Sequence, residues 1–368
     1  MKIFKLKKII VIFTIICFFG ASFLPNISGS SISYQYNKIT IVGFEQAKMV
    51  AERKISMSKS SEYTISEAIP IKNVDDSTLM YVFSLNPEGY IIVSVNRKLP
   101  PIIAYSFDNN FGDISGENIL LQLLKADVSN RIKNIDLVSE EIIKSRYEQW
   151  QKYTDSNLLN QQDLVTSVGP LLDTQWSQSP PYNNFCPLDS NNGERSVAGC
   201  PAVAMAQILN YHRTTQNVQF TDDDDYRHNY AGNNYIIDDD SEEYDFPSFS
   251  ELNTHLNTLI YNYENDIQLT NDDKAAITFA CGVASRQVYS SSGSGTFGVD
   301  QAFDAYQRFY FENIKLLTEG SDVYDKLQSN ILEGLPAHIA VVNEAWTVGH
   351  NMVVDGYDNE GYFHANFG

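Results

Sequence analysis

A thiol becomes a practical nucleophile when a base lies within reach and a third group orients that base. Cys200 stands in the stretch Ser196-Val-Ala-Gly-Cys200-Pro-Ala-Val-Ala-Met-Ala-Gln-Ile-Leu-Asn-Tyr-His212. Pro201 and the alanines after it read as the start of a helix, since proline is tolerated where its missing N–H would be unpaired anyway. Ala202, Met205, Ala206 and Leu209 recur at helical spacing, so one face of that helix should pack into a core. Gly199 permits a tight turn just before it. Cys200 is therefore expected at a helix N-terminus, where free N–H groups and the macrodipole favour an anion and should lower the thiol's pKa. A buried structural cysteine is the competing reading, because free cysteine is among the most buried residue types.

Six histidines could serve as base: His212, His228, His255, His338, His350 and His364. His350 follows Cys200 by 150 positions, in Gly349-His-Asn-Met-Val-Val-Asp-Gly356, and Asn366 closes the next apolar run, Tyr362-Phe-His-Ala-Asn-Phe-Gly368. Cys, His and Asn in that order, with the base ~130–150 residues downstream, is a papain-type order of nucleophile, base and orienter. Spacing alone does not single out these three. His364, two residues before Asn366 and on the same side of a strand, competes for the role of base. The flanking Gly349 favours His350, leaving His364 to packing or hydrogen bonding.

The rest of the chain must position these groups. With 368 residues there is room for two domains, and 43% hydrophobic with 20% charged residues is a globular composition. A formal net charge of −20 argues against nucleic acid and anionic membrane surfaces as partners. Lys2, Lys5, Lys7 and Lys8 precede an apolar run from Ile9 to Phe19, and Gly20, Ala21 and Ser22 offer a cleavage site. Residues 1–22 thus read as a secretory signal peptide, with a run shorter than the ~20 residues a membrane span needs. Its removal takes Cys17 and leaves Cys186, Cys200 and Cys281, an odd number that keeps at least one thiol unpaired. A Cys186–Cys281 disulfide is possible from the count but not expected.

A first α+β module is expected over residues 23–153. It has a helix over Gly43–Ile55 and apolar runs at Leu79–Leu85, Gly89–Val95 and Ile102–Phe107, with a turn at Asn86-Pro-Glu-Gly89. Helices follow near Asn118–Ile135 and Ser139–Tyr153. The polar segment 154–166 reads as an exposed, cleavable linker. The second module, 167–368, carries the Cys200 helix, helices over Asp272–Ala284 and Val299–Phe309, and strands near Ile339–Val342, Asn351–Val354 and Tyr362–Ala365. Asp222–Asp225 lacks the spacing of a calcium loop and reads as a solvated loop. Gly293-Ser-Gly295-Thr-Phe-Gly298 formally matches a dinucleotide fingerprint, but no strand or parallel sheet is indicated before it. No zinc-type spacing is found, and no metal or cofactor is expected.

Four stretches narrow the choice: Leu171-Leu-Asp-Thr-Gln-Trp-Ser-Gln178-Ser-Pro-Pro-Tyr-Asn183, the Cys200 segment, Gly-His350 with Val-Val-Asp-Gly-Tyr357, and Phe-His-Ala-Asn366-Phe-Gly. Together they closely resemble the streptopain family of secreted bacterial cysteine proteases, which have a papain-like fold. Tyr81-Val-Phe-Ser, Gly89-Tyr-Ile-Ile-Val-Ser and Pro101-Ile-Ile-Ala-Tyr-Ser resemble that family's inhibitory prodomain. The resemblance implies a zymogen of a secreted cysteine endopeptidase acting on protein or peptide substrates, with its own prodomain as intramolecular inhibitor. It implies Cys200 as nucleophile, His350 as base and acid, Asn366 as orienter and Gln178 as oxyanion-hole donor. Ser292, Gly293, Ser294 and Gly295 would line the substrate cleft. Phe367 stands where the family has Trp, and similar proteases continue beyond the position of Gly368, so C-terminal strands are expected to be missing. A non-catalytic or truncated form that binds another protease as inhibitor is the alternative.

Overall fold

In a computed structural model of the chain, the described residues are 9–15 (backbone only), 40–58, 62–114, 118–155, 167–317, 323–343 and 345–368. The fold is α+β, as expected, and divides into two units, residues 16–164 with 343–348 and residues 1–15, 165–342 with 349–368. Most of the expected signal peptide, and linker residues 156–166, lie outside the described residues.

The N-terminal unit is a four-stranded antiparallel sheet of β2 (Thr64–Lys72), β3 (Thr78–Asn86), β4 (Tyr90–Ser94) and β5 (Ile102–Ser106), in that order. (β1, Ile9–Ile15, belongs to the other unit.) β3 reads as a continuous apolar run because both of its faces are covered. Met80 and Val82 join Leu121 and Val128 of helix α2 (Ile119–Lys133) in one cluster. Tyr81 and Phe83 point the other way, against Phe44 of α1 (Phe44–Met57). Strand β2 carries no such pattern: it is an edge strand, mostly exposed and containing Pro70, which a central strand would not tolerate. Helix α3 (Glu140–Thr154) is capped by Ser139 and sends the fully buried Trp150 inward, its indole N–H donating to the Leu99 carbonyl at 2.9 Å.

The C-terminal unit is organised around α4 (Cys200–His212), whose residues Pro201 to Leu209 are all buried. A helix apolar all round is a core helix. α5 (Phe249–Glu264) and α6 (Asn271–Ala284) pack beside it, each begun by a capping box, Ser248 with Glu251 and Thr270 with Asp273. α7 (Val299–Arg308) and α8 (Val323–Leu332) complete the helices. A sheet in the order β12 (Phe363–Asn366), β11 (Gly349–Asp358), β10 (Ala337–Val342), β1 (Ile9–Ile15) and β9 (Ile314–Leu317), with β6 (Ser167–Val168) also paired to β11, packs against α4, α7 and α8. A small hairpin of β7 (Arg227–Tyr230) and β8 (Asn233–Ile236) stands apart.

One sequence reading needs adjustment. Asp222–Asp224 forms a 3₁₀ turn capped by Thr221, and Asp224 forms a bidentate pair with Arg308 at 2.7 and 2.8 Å, so that carboxylate is held by a partner rather than simply solvated. The glycines of 293–298 lie, as expected, in a loop, which a Val288–Gly295 bridge closes. Cys186 and Cys281 are both buried and free, as expected.

Candidate active site

The turn into α4 places Cys200. Gly199 is the N-cap with φ +83, and Cys200 and Pro201 are the first two helical residues. A Cβ on Gly199 would lie 2.4 Å from Oε1 of Gln287, so both the conformation and the space demand glycine. The Gln287 amide donates to the Ala198 carbonyl at 2.8 Å and braces the turn from beneath. On either side of the segment entering Cys200, Ala198 N–H donates to the carbonyl of Gln178 (2.9 Å) and Val197 N–H to the carbonyl of Ser290 (3.1 Å). Gln178 and the start of the Ser292–Gly295 loop are thereby brought beside the segment that leads into Cys200.

That loop is strung on hydroxyls. Ser290 Oγ donates to the Gly293 carbonyl at 2.6 Å and accepts from Gly293 N–H at 3.0 Å. Ser294 Oγ accepts from Ser290 N–H at 3.1 Å. The loop is anchored by Asp189, whose Oδ2 accepts from Ser291 N–H and Oγ, both at 2.9 Å.

His350 is buried at 3% exposure on β11, and its ring stacks on Phe367 with centroids 4.0 Å apart. Its Nε2 bonds the Phe367 carbonyl. A carbonyl can only accept, so Nε2 carries the proton and Nδ1 presents its lone pair. Nδ1 is buried and without a hydrogen-bond partner. Burial pushes the imidazole's pKa down, opposed by the Phe367 carbonyl. Burial thus favours the neutral ring, with Nδ1 bare.

Asn366 does not bond the His350 ring. Its Nδ2 donates to the Thr174 carbonyl at 2.6 Å, and its Oδ1 accepts from Nε2 of the buried Gln207 at 3.2 Å. Gln207 Oε1 in turn accepts from Thr174 Oγ1 at 2.8 Å and Trp176 N–H at 3.3 Å. This closed ring of amides pins the end of β12 to α4, one residue from the carbonyl that fixes the imidazole. Sequence reasoning missed Gln207, whose only signal is a polar side chain on the buried face of an apolar helix.

The expected lowering of the Cys200 pKa is not what this environment gives. Desolvation pushes the thiol up, and it is only partly offset by donors from Asn351. The macrodipole favours the thiolate, and removing sulfur from water works against it. Asn351 N–H lies 3.4 Å and Nδ2 3.8 Å from the sulfur, and no hydrogen bond joins Cys200 to His350 in this arrangement. His364, the rival base, bonds the fully buried Asp355 through Nδ1, while Asp355 Oδ2 accepts from Leu172 N–H at 3.0 Å. It serves to tie β12 to the 171–172 segment.

Comparison with known proteins gives a consistent set of relatives. Residues 39–132 match the Spi protease inhibitor family, and residues 176–368 match the Peptidase C10 family. The thiol protease/hemagglutinin PrtT of Porphyromonas gingivalis is 23% identical over 344 residues, covering 86% of this chain and 36% of that protein. The chain therefore spans little more than a third of that relative's length. Streptopain of Streptococcus pyogenes serotype M1 is 24% identical over 307 residues, covering 78% of this chain and 71% of that protein. Among solved structures, a fragment of prointerpain A from Prevotella intermedia superposes with a TM-score of 0.48 at 21% identity, covering 82% of this chain and 88% of that one. Since the C10 match takes in more than half of the sequence, from Trp176 through the Cys200 helix to the end of β12, the chain belongs to the Peptidase C10 family.

Proposed function

We propose that the chain is the zymogen of a secreted cysteine endopeptidase, with residues 23–153 as its inhibitory prodomain. The observation that carries this reading is Cys200 at the head of a buried helix, in a family of thiol proteases, together with a histidine whose tautomer leaves Nδ1 bare. Substrate binding brings the scissile carbonyl to Cys200, and the thiol proton passes to His350 Nδ1 as sulfur attacks the carbon. The resulting oxyanion is held by the Cys200 N–H, which has no intrahelical partner in the first turn, and by the Gln178 amide. His350 then returns its proton to the amine as the C–N bond breaks, leaving a thioester. Water, deprotonated by the same nitrogen, adds to that thioester, and the carboxylic acid leaves with the thiol restored. Asn366 acts by holding the Phe367 carbonyl in place, and Ser292, Gly293, Ser294 and Gly295 bind the peptide backbone.

Cleavage in the 154–166 linker releases the enzyme from its prodomain. The test is hydrolysis of an unstructured protein substrate by the full chain before and after limited cleavage of that linker. Activity should appear on cleavage, disappear with a thiol alkylator and be absent in Cys200→Ala. The Spi match favours one further property: residues 30–153 inhibit a related C10 protease in trans. Inhibition by Cys200→Ala full chain, with no hydrolysis by the uncut or cut wild type, would point to the inhibitor as the chain's whole function.

A further inference from the structure

His338 is fully buried on β10, and the mechanism makes no use of it. In the β10–β11 ladder Ala340 lies opposite Asn351 and His338 opposite Val353. Facing residues in an antiparallel pair share a side of the sheet, and His338 is the diagonal neighbour of Asn351. Ala340 and Val353 belong to the core cluster that contains α4, so this is the side on which α4 packs. The contacts follow that placement. His338 Nε2 lies 2.8 Å from Oδ1 of Asn351, and Tyr306 Oη lies 3.3 Å from His338 Nδ1. The amide oxygen only accepts, so Nε2 carries the proton, Nδ1 accepts, and Tyr306 donates. With Oδ1 held by His338, the amide's Nδ2 is the end that meets the Cys200 sulfur at 3.8 Å, beside the Asn351 backbone N–H at 3.4 Å.

We propose that Asn351 is a catalytic donor to the Cys200 thiolate and that the buried His338, backed by Tyr306, is the positioning residue that keeps its amide turned N–H first toward the sulfur. This rests on Cys200 being the nucleophile. The chemistry answers a need at this site: sulfur taken out of water is a reluctant anion, and two N–H groups replace part of the lost solvation. The orientation must be imposed, because an amide rotated by half a turn would present oxygen to the thiolate and oppose ionisation. Neutral His338 imposes it, and burial keeps that ring neutral by pushing its pKa down to about 4, with Asn351 opposing. The phenol of Tyr306 stays protonated because burial holds its pKa far above its ordinary value. A polar chain of three side chains, otherwise costly in a core, is thereby satisfied end to end.

The test is the pH dependence of iodoacetamide alkylation of the full chain, read by mass spectrometry on the peptide that contains Cys200. A hydrogen bond to a charged group is worth about 1.5 kcal/mol at the low end, or roughly one pKa unit. Asn351→Leu should raise the alkylation midpoint by about that one unit. His338→Leu should raise it in the same direction, and the double variant should be no higher than Asn351→Leu alone. His338→Gln, whose amide N–H can reach Oδ1, should restore the wild-type midpoint, which a purely packing role would not explain. If His338→Leu does not fold, His338→Gln and Asn351→Leu decide the matter between them. A wild-type midpoint in Asn351→Leu, or a fully shifted midpoint in His338→Gln, overturns the proposal. The readout needs no substrate, so an unshifted midpoint in a chain that hydrolyses peptides sinks this inference alone. A shifted midpoint in a chain that hydrolyses nothing sinks the protease reading alone.

Discussion

Replacing Asp189 by asparagine should loosen the loop that we assign to substrate binding, and the size of the effect follows from five hydrogen bonds. Oδ1 accepts from Asn191 N–H at 3.0 Å, Asn191 Nδ2 at 2.8 Å and Asn233 Nδ2 at 3.1 Å, while Oδ2 accepts the two donors of Ser291. The residue is 4% exposed. Burial alone would raise its pKa, but the Ser291 and Asn191 N–H groups and the side-chain amides of Asn191 and Asn233 outweigh it and hold the carboxyl well below the usual carboxylate range. In Asp189→Asn one acceptor becomes an NH₂ group. Either Ser291 N–H then faces a donor, or the amide flips and the three donors on Oδ1 do. One lost charge-assisted bond and one stranded buried donor together amount to about 3 kcal/mol. Urea unfolding of the full chain, in a Cys200→Ala background that prevents self-cleavage, should show that loss. With Cys200 present, KM should rise more than kcat falls. The sign with pH is fixed: the folded-state pKa lies below the unfolded one, so the carboxylate's contribution is complete above about pH 4 and is lost as pH falls toward the folded value. Asp189→Asn should therefore lose less stability than wild type on acidification below about pH 4. A cost under about 1 kcal/mol with unchanged KM would refute the idea that this carboxylate organises the loop.

Three further outcomes follow from the same geometry. Gly199→Ala, forced into a left-handed conformation against Gln287, should destabilise the C-terminal unit by about 2 kcal/mol and nearly abolish peptide hydrolysis, as measured by denaturation and kcat/KM. Gln207→Leu and Asn366→Ala should each lower kcat roughly tenfold with little change in KM. Their double variant should be no worse than either alone, because both act through the position of the Phe367 carbonyl. Trp150→Ala removes a fully buried side chain and the donor to Leu99, so it should cost the N-terminal unit about 4 kcal/mol, visible in hydrogen exchange of β4 and β5. It should also give activity without linker cleavage.

How far these features can be read from sequence depends on where their causes lie. The start of α4 is local: Gly199, Pro201 and the alanines after it each act on their own neighbours, and β3 to β5 announce themselves by apolar runs covered on two faces. β2 escapes because an edge strand need not be apolar, and Pro70 there argues against a strand. α5 has no counterpart among the expected elements, although its Ser248 and Glu251 capping box and the spacing of Leu252, Leu256 and Leu259 are local signals. The site's finer parts depend on pairing across the fold. Nothing near Cys200 in sequence tells that Asn351 meets its sulfur, that Gln207 rather than His350 holds the Asn366 amide, or that Phe367 lends a backbone carbonyl to the imidazole. The thiol's raised pKa has the same origin, since desolvation is a property of the assembled core and the helix terminus is a property of the segment.

The central claim is that Cys200 attacks the substrate and His350 makes the attack possible. Linker-cleaved chain mixed with a peptide ester, quenched in acid within its first turnovers and digested for mass spectrometry, tests it directly. We expect the peptide containing Cys200 to carry the mass of one acyl group, sensitive to hydroxylamine as a thioester is. The adduct should be absent in Cys200→Ala and should form far more slowly in His350→Ala. Continued hydrolysis in Cys200→Ala, or an acyl group found on another residue, would contradict the account.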